Sequence, residues 1–297
     1  MSATRINPYP MPDLLAALEQ LQQQQNKATL ELATGSTINK PSDDPAGAAL
    51  LTQVFDQSSQ VDSFQKSMST ISGQLQTADS ALNSVGTALQ RAISLGVEGA
   101  NGTLSDSDRQ DVATELTGIQ AQLVSLANTS YQGQFIFSGT SEVQPFVTDP
   151  SAPSGVRYAG NSGVNTVAIG NNYQLQVNQS GSQIFNGAGA DVFQAIHGLI
   201  TSLQTNSGID VAVTEVSTAL NYVTDQRVFY GNAVNQITAQ QSFLSTEKLN
   251  LNSQENTVQG ADLASVATQL ASNQTAQSAA LSAIGRITQT SLFDYLK

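Results

Sequence analysis

The sequence contains no cysteine and no tryptophan, and it has a single histidine, His197. The absence of cysteine excludes disulfides, thiolate nucleophiles and cysteine-ligated zinc or iron–sulfur centres. His197 has no second histidine with which to share a metal ion, and no pair of acidic residues stands beside it in the sequence. We therefore expect His197 to occupy a surface or interface position.

Charged residues are also scarce, at 11% of the 297 residues against about 25% in typical soluble proteins. The 11 Lys and Arg residues stand against 23 Asp and Glu residues, which gives a net charge of −12. This sign argues against nucleic-acid binding, which needs a basic surface, and against attraction to an anionic membrane. A charge-poor polar surface is typical of a subunit that packs against many similar neighbours, although an ordinary acidic soluble protein is the alternative.

Long hydrophobic runs are missing as well. Residues 1–12 contain no apolar stretch of the about 7–15 residues found in secretory signal peptides. No segment reaches the roughly 18–20 apolar residues that span a bilayer. If the protein acts outside the cell, we expect it to be exported without a cleaved signal peptide.

The sequence carries no recognisable catalytic, cofactor-binding or metal-binding motif. Asp43 and Asp44 stand in a turn before a predicted helix, where acidic residues usually serve as caps. Asp106, Asp108 and Asp111 have a loose calcium-like spacing but lack the glycine and glutamate of an EF-hand loop. No phosphate-binding glycine pattern is present. We therefore predict a protein that is not an enzyme and holds no cofactor.

Heptad spacing dominates the N-terminal third. Prolines are expected to keep the chain extended up to Pro12, and a helix with a coiled-coil seam is predicted from Asp13 to Ala33. A second helix is predicted over residues 45–95, capped by Asp44 and ended by glycines, and a third begins at a capping box of Ser105 and Asp108. The first seam consists of Leu14, Leu18, Leu21, Gln25, Ala28 and Leu32.

At Gly133 the hydrophobic period changes from about 3.5 to 2, which indicates strands. The predicted strands are Phe135–Phe137, Val156–Tyr158, Val164–Ile169 and Tyr173–Val177. The helical period returns at Asp191 with a short helix, a long helix over residues 208–258, and a last helix capped by Asp262 and reaching Thr290. The seam of the last helix consists of Leu263, Val266, Leu270, Ala280, Ile284 and Ile287, with Asn273 and Gln277 inside it.

These patterns predict a mainly α protein with a small antiparallel β insert, in which the two halves of the chain form a long antiparallel helical rod. The expected parts are a terminal coiled coil (residues 1–44 with 259–297), a helical rod domain (45–132 with 205–258) and a β-rich outer domain (133–204). Because short seams with polar and small residues are weak alone, we predict that the terminal seams pack against neighbouring copies. The predicted interface residues are Leu14, Leu18, Leu21, Ala28, Leu32, Leu263, Val266, Leu270, Ala280, Ile284, Ile287 and Leu292.

Three stretches resemble bacterial flagellin-type axial proteins. They are Leu32–Gly47, Asn101–Arg109 and Ala261–Leu270. Within that family, the stretch Tyr131–Gly139 and the ending Ser291–Leu296 are similar to the hook–filament junction subfamily. The chain departs from the family at its start, where Arg5 and Ile6 are followed by three spaced prolines instead of leading directly into a helix.

The resemblance implies a structural adaptor at the hook–filament junction of the flagellum, outside the cell. It implies four partners: copies of the chain itself, the other junction protein, flagellin, and an export chaperone on the C-terminal region. No nucleic-acid or membrane partner is expected. The alternatives are filament flagellin itself and, in a different class, a secreted adhesin that binds through the β insert.

Overall fold

The structure is a computed structural model that describes the backbone of residues 10–294 and the side chains of residues 11–286. The helices are α1 (Pro10–Thr34), α2 (Pro45–Gly99), α3 (Asp106–Ala127), α4 (Gly181–Phe185), α5 (Val192–Thr205), α6 (Ile209–Gln259) and α7 (Leu263–Asp294). The strands are β1 (Ser130–Tyr131), β2 (Gln134–Phe135), β3 (Phe146–Thr148), β4 (Val156–Tyr158), β5 (Thr166–Gly170), β6 (Tyr173–Gln176), β7 (Asn186–Gly187) and β8 (Ala190–Asp191).

The described part of α1 begins earlier than the sequence predicts. Pro10 and Pro12 are helical, so the expectation of an extended chain up to Pro12 is wrong for these residues. Proline is tolerated in the first turn because the N–H groups there have no partner within the helix. Asp13, the predicted start of this helix, consequently lies inside it.

Helix α2 also continues beyond its predicted end at Leu95, as far as Gly99. Gly96 does not break the helix but lets it approach its neighbours. A Cβ atom at Gly96 would lie 2.5 Å from Cγ2 of Val213, and one at Gly99 would meet the side chain of Leu203. Glycine is needed here for close packing, a reason that local sequence does not reveal.

The helix caps predicted at Asp44, Ser105 and Asp262 are confirmed. The carboxylate of Asp44 accepts from the backbone N–H groups of Ala46 and Gly47, at 3.1 and 3.0 Å. Ser105 and Asp108 form the reciprocal capping box at the start of α3. The carboxylate of Asp262 likewise accepts from backbone N–H groups in the first turn of α7. These ends are set by local hydrogen bonds, which explains why the sequence reveals them.

The β insert consists of four two-stranded antiparallel sheets, each formed by consecutive strands. Strand β4 has the predicted bounds, whereas β5 is shifted by one to two residues and β6 ends one residue earlier than predicted. The strand predicted at Phe135–Phe137 is wrong beyond Phe135, because Ile136 and Phe137 leave the ladder and are buried. Strands β1, β3, β7 and β8 and helix α4 were not predicted, since segments of two to five residues give at most a weak periodic signal.

The chain divides into two compact units, one comprising the chain up to Ser59 and from Glu247 onward, the other Gln60–Thr246. In the second unit, Met68, Leu75, Leu82 and Leu89 of α2 are fully buried, and four phenylalanine rings anchor the β insert on α5. The rings of Phe146 and Phe193 lie 5.1 Å apart, and those of Phe137 and Phe185 lie 5.5 Å apart. The predicted fold class, mainly α with a small antiparallel β insert and antiparallel terminal helices, is confirmed. Over residues 10–294, no helix has the length and apolarity needed to cross a membrane.

Candidate assembly site

Helices α1 and α7 pack against each other in the first unit, and we call them the terminal helix pair. Their burial follows the predicted seams. Ala28 and Val266 are buried, at 5% and 7% exposure. The half-buried members are Leu14, Leu18, Leu21, Leu270, Ala280 and Ile284. The side chains of Ile287 and Leu292 lie outside the described residues, so their predicted role stays a prediction.

Two predicted interface residues do not lie on the buried face. Leu32 is 41% exposed in the last turn of α1, and Leu263 is 51% exposed at the first position of α7. Both stand at helix ends next to the linkers. Their side chains are therefore free to contact another molecule.

Further leucines on the terminal helix pair are exposed without belonging to either predicted seam. They are Leu15, Leu30 and Leu281, with exposures of 53%, 42% and 52%. Sequence reasoning missed them because it followed the heptad positions alone. An apolar residue outside the seam of a charge-poor helix is the signal that could have found them.

The linkers that lead from α1 into α2 and from α6 into α7 are joined by backbone hydrogen bonds. Ser36 and Gly260 form an antiparallel β-bridge. The N–H of Thr37 donates to the carbonyl of Gln259 at 2.7 Å, and the N–H of Ala261 donates to the carbonyl of Gly35 at 2.9 Å. We call residues 35–43 and 259–261 the linker clasp. It joins segments more than 200 residues apart in the sequence, and both belong to stretches that carry the family resemblance or adjoin them.

Residues 39–43 form a tight turn within the first segment of the linker clasp. The carboxylate of Asp43 accepts from the backbone N–H groups of Asn39 and Lys40, at 3.1 and 2.9 Å. These two backbone donors hold the pKa of Asp43 below its ordinary value, because they favour the ionised form. The side-chain amide of Asn39 in turn donates to the carbonyl of Ser36 at 2.7 Å. The predicted polar turn is thus an ordered hydrogen-bonded structure.

Residues that could suggest chemistry serve structural roles. Asp108 belongs to the capping box, and Asp106 forms an ion pair with Arg109. His197 is exposed on α5, as expected. Within the described part of the chain, no three His, Asp or Glu residues come close enough together to hold a metal ion. The terminal helix pair is therefore a packing surface: its two helices are joined at one end by the linker clasp, and both carry exposed leucines.

Comparison with known proteins places this architecture in a family. Residues 10–142 match the bacterial flagellin N-terminal helical region, and residues 213–296 match the bacterial flagellin C-terminal helical region. Together the two matches span well over half of the chain, and they include both helices of the terminal helix pair. The chain therefore belongs to the flagellin family.

Within that family, the chain is similar to flagellar hook-associated protein 3 of Salmonella typhimurium, at 33% identity over 158 residues. This match covers 52% of the chain and 48% of the relative, so the chain spans about half the length of the curated relatives it matches. A flagellin of Listeria monocytogenes is 38% identical over 104 residues, 35% of the chain and 36% of the relative. A solved structure from Vibrio parahaemolyticus, described as a flagellar hook-associated protein, shares the fold with a TM-score of 0.68 at 23% identity, over 73% of this chain and 99% of that one.

Proposed function

We propose that the chain is a structural, non-enzymatic subunit of the bacterial flagellum that acts as an adaptor at the hook–filament junction. The terminal helix pair and its linker clasp carry this proposal. They present two helix ends as one coupled element, with exposed leucines available for neighbouring subunits. The similarity to hook-associated protein 3 of Salmonella typhimurium favours the junction over other positions in the flagellum.

In this role the partners are copies of the chain, the other junction protein on the hook side, and flagellin on the filament side. Exposed leucines at both ends of the terminal helix pair are suited to such contacts, because apolar side chains gain free energy when neighbouring helices cover them. We further propose that the protein is exported to the outside of the cell without a cleaved signal peptide, held by a chaperone at its C-terminal region. The twelve predicted interface residues remain proposals in this role.

A deletion strain tests the junction role. Cells that lack the gene should build hooks but release flagellin into the medium, because the first flagellin layer has no subunit on which to assemble. Immunoblots of flagellin in the cell-bound and medium fractions distinguish the outcomes. Filaments of normal number on the deletion strain would contradict the proposal.

Complementation of that strain tests the terminal helix pair. Val266→Glu places a carboxylate on the buried face of α7, whereas Gln269→Glu places the same group at an exposed position of the same helix. We expect Gln269→Glu to restore filaments and Val266→Glu to restore few. The amount of each variant exported into the medium separates failed assembly from failed production. Equal restoration by both variants would contradict the role of the seam.

Filament flagellin is the second candidate function, and the 38% identity to Listeria monocytogenes flagellin favours it. The same deletion strain separates the two roles. If the chain is itself flagellin, the strain should have no filament protein in either the cell-bound or the medium fraction. Released flagellin monomer of a different sequence would instead favour the junction role.

A further inference from the structure

Two asparagines in the sequence are followed directly by a glycine, Asn101 and Asn186. In such a dipeptide the backbone nitrogen of the glycine can attack the side-chain carbonyl carbon of the asparagine, because glycine has no Cβ to block a close approach. Asn101 lies in an exposed turn between α2 and α3, whereas Asn186 lies in the β7–β8 hairpin. These different surroundings determine which of the two side chains is able to react.

The turn that contains Asn101 leaves the attacking nitrogen accessible. Asn101, Gly102 and Thr103 are all exposed, and the turn is closed by the N–H of Leu104, which donates to the carbonyl of Asn101 at 3.0 Å. Among the described residues, the N–H of Gly102 donates to no backbone carbonyl. A Cβ atom at Gly102 would have open space around it, so no other part of the fold covers this nitrogen.

Thr103 supplies two hydrogen-bond donors to the side-chain carbonyl of Asn101. Its backbone N–H and its hydroxyl donate to Oδ1 of Asn101, at 3.2 and 2.9 Å. When the nitrogen of Gly102 attacks, negative charge develops on this oxygen, and donors already in place stabilise that charge. The same two bonds hold the side chain against the turn, which reduces the entropy that is lost when the reacting atoms meet.

Asn186 has the opposite surroundings. Its Nδ2 donates to Oδ2 of Asp191 at 2.7 Å, and this bond holds the nitrogen that would have to leave. Its Oδ1 is buried and has no hydrogen-bond partner among the described residues, so negative charge on this oxygen would be costly. Gly187 is buried against the ring of Tyr222 and pairs with Ala190 in the hairpin. We therefore expect the fold to protect Asn186.

We infer that Asn101 is a site of spontaneous deamidation, promoted by Thr103. The nitrogen of Gly102 forms a bond to Cγ of Asn101, the Cγ–Nδ2 bond breaks, and ammonia leaves with the proton that the Gly102 nitrogen carried. Water then adds to either carbonyl carbon of the resulting succinimide, and the ring opens to aspartate or isoaspartate.

Either product adds a negative charge to the turn that leads into α3, and isoaspartate also lengthens its backbone by one carbon. Each subunit thus carries a slow, one-way change that records its age. The inference depends on this turn alone and is independent of the proposed flagellar role.

Incubation of the full-length protein in mildly alkaline buffer tests the inference. Peptide mass spectrometry, with fragmentation that distinguishes aspartate from isoaspartate, measures both products at each site. In the folded protein we expect them to accumulate at Asn101 and to stay scarce at Asn186. In denaturant the two sites should react at similar rates, because unfolding removes the contacts that distinguish them. Equal accumulation at the two sites in the folded protein would overturn the inference.

Substitutions in the turn test the contribution of each group. Thr103→Val removes the hydroxyl donor and should slow the reaction at Asn101 about two- to tenfold, the range typical of one hydrogen bond. Thr103→Ser keeps the hydroxyl and should retain the rate. Gly102→Ala fits the open turn, where φ is not positive, and should remove most of the product because its Cβ shields the nitrogen.

Thr114→Val is the matched control for the loss of a hydroxyl, because Thr114 is an exposed residue of α3 whose hydroxyl donates to the carbonyl of Gln110. It should leave the rate at Asn101 unchanged. Circular dichroism shows whether each variant keeps its helical structure. Equal rates for Thr103→Val and Thr114→Val would overturn the promoting role of Thr103, and an unchanged rate for Gly102→Ala would overturn the attack by the Gly102 nitrogen.

Discussion

Arg227 binds Asp79 through two parallel hydrogen bonds, from Nε to Oδ1 at 3.0 Å and from an Nη atom to Oδ2 at 3.1 Å. A further guanidinium nitrogen donates to the side-chain oxygen of Asn83 at 3.0 Å. The contact ties α6 to α2 inside the second unit, between segments almost 150 residues apart in the sequence. Three donors in a fixed plane give it a directionality that a lysine ammonium cannot reproduce.

We expect Arg227→Lys to lower the free energy of unfolding by about 0.5–1 kcal/mol, a modest value because the side chains of Arg227 and Asp79 are 31% and 39% exposed. Denaturant unfolding measures the change. Arg91→Lys is the matched control, since Arg91 binds only one oxygen of Glu115 and both side chains are about half exposed. Its effect should be smaller, and equal losses in the two variants would contradict the special role of the paired contact.

Two helical glycines should respond in opposite directions to alanine. Gly96→Ala should lower the free energy of unfolding by about 1–3 kcal/mol, because the added methyl group collides with Val213 and Leu199. Gly118 is exposed in α3 with no atom within 4 Å of its Cβ position, so Gly118→Ala should raise stability by about 0.5–1 kcal/mol. Thermal unfolding of the two variants shows whether each change in stability has the expected sign. Stabilisation by Gly96→Ala would contradict the close packing of α2 at this site.

The linker clasp depends on the backbone of Gly35, whose φ of +69° lies in the left-handed region. Gly35→Ala should weaken the clasp by about 1 kcal/mol through backbone strain alone, because nothing lies within 4 Å of the added Cβ. Hydrogen exchange of the Ala261 amide, which donates to the carbonyl of Gly35, reports the effect locally. Gly102→Ala, at an open loop position without positive φ, should leave that exchange rate unchanged.

The capping box should affect the pKa of Asp108, which an acid titration measures. The side chain and backbone N–H of Ser105 hold the pKa of Asp108 below its ordinary value, since both donate to the ionised carboxylate. A lowered folded-state pKa means that this stabilisation is present above the unfolded pKa and is lost as the pH falls through the folded pKa.

Ser105→Ala should therefore raise the pKa of Asp108 toward its ordinary value, as measured by NMR of the side-chain carboxyl carbon. The pKa of Asp149 provides the internal control. It is lowered mainly by hydrogen bonds from Ser151, so Ser105→Ala should leave it unchanged. A parallel rise of both values would indicate general unfolding instead of the loss of one cap.

Local signals explain which features of the fold were predictable. The caps at Asp44, Ser105 and Asp262 depend on hydrogen bonds that span two or three residues, so the sequence alone identifies them. The start of α1 was misplaced because proline in a first turn and proline in an extended segment look alike in sequence. Strand β3 and helix α4 were missed because segments of three and five residues give too weak a periodic signal, and the pairing of β3 with β4 is visible only in the structure.

The sequence by itself determined that this protein is built from heptad-patterned helices interrupted by a β insert, because hydrophobic period and capping chemistry act over a few residues. The stretches Leu32–Gly47, Asn101–Arg109 and Ala261–Leu270 together carried the family resemblance. Only the tertiary structure decided that the two linkers pair through backbone hydrogen bonds, from Thr37 to Gln259 and from Ala261 to Gly35. These relationships join residues more than 200 positions apart, and spacing along one helix says nothing about which residue of another helix lies opposite.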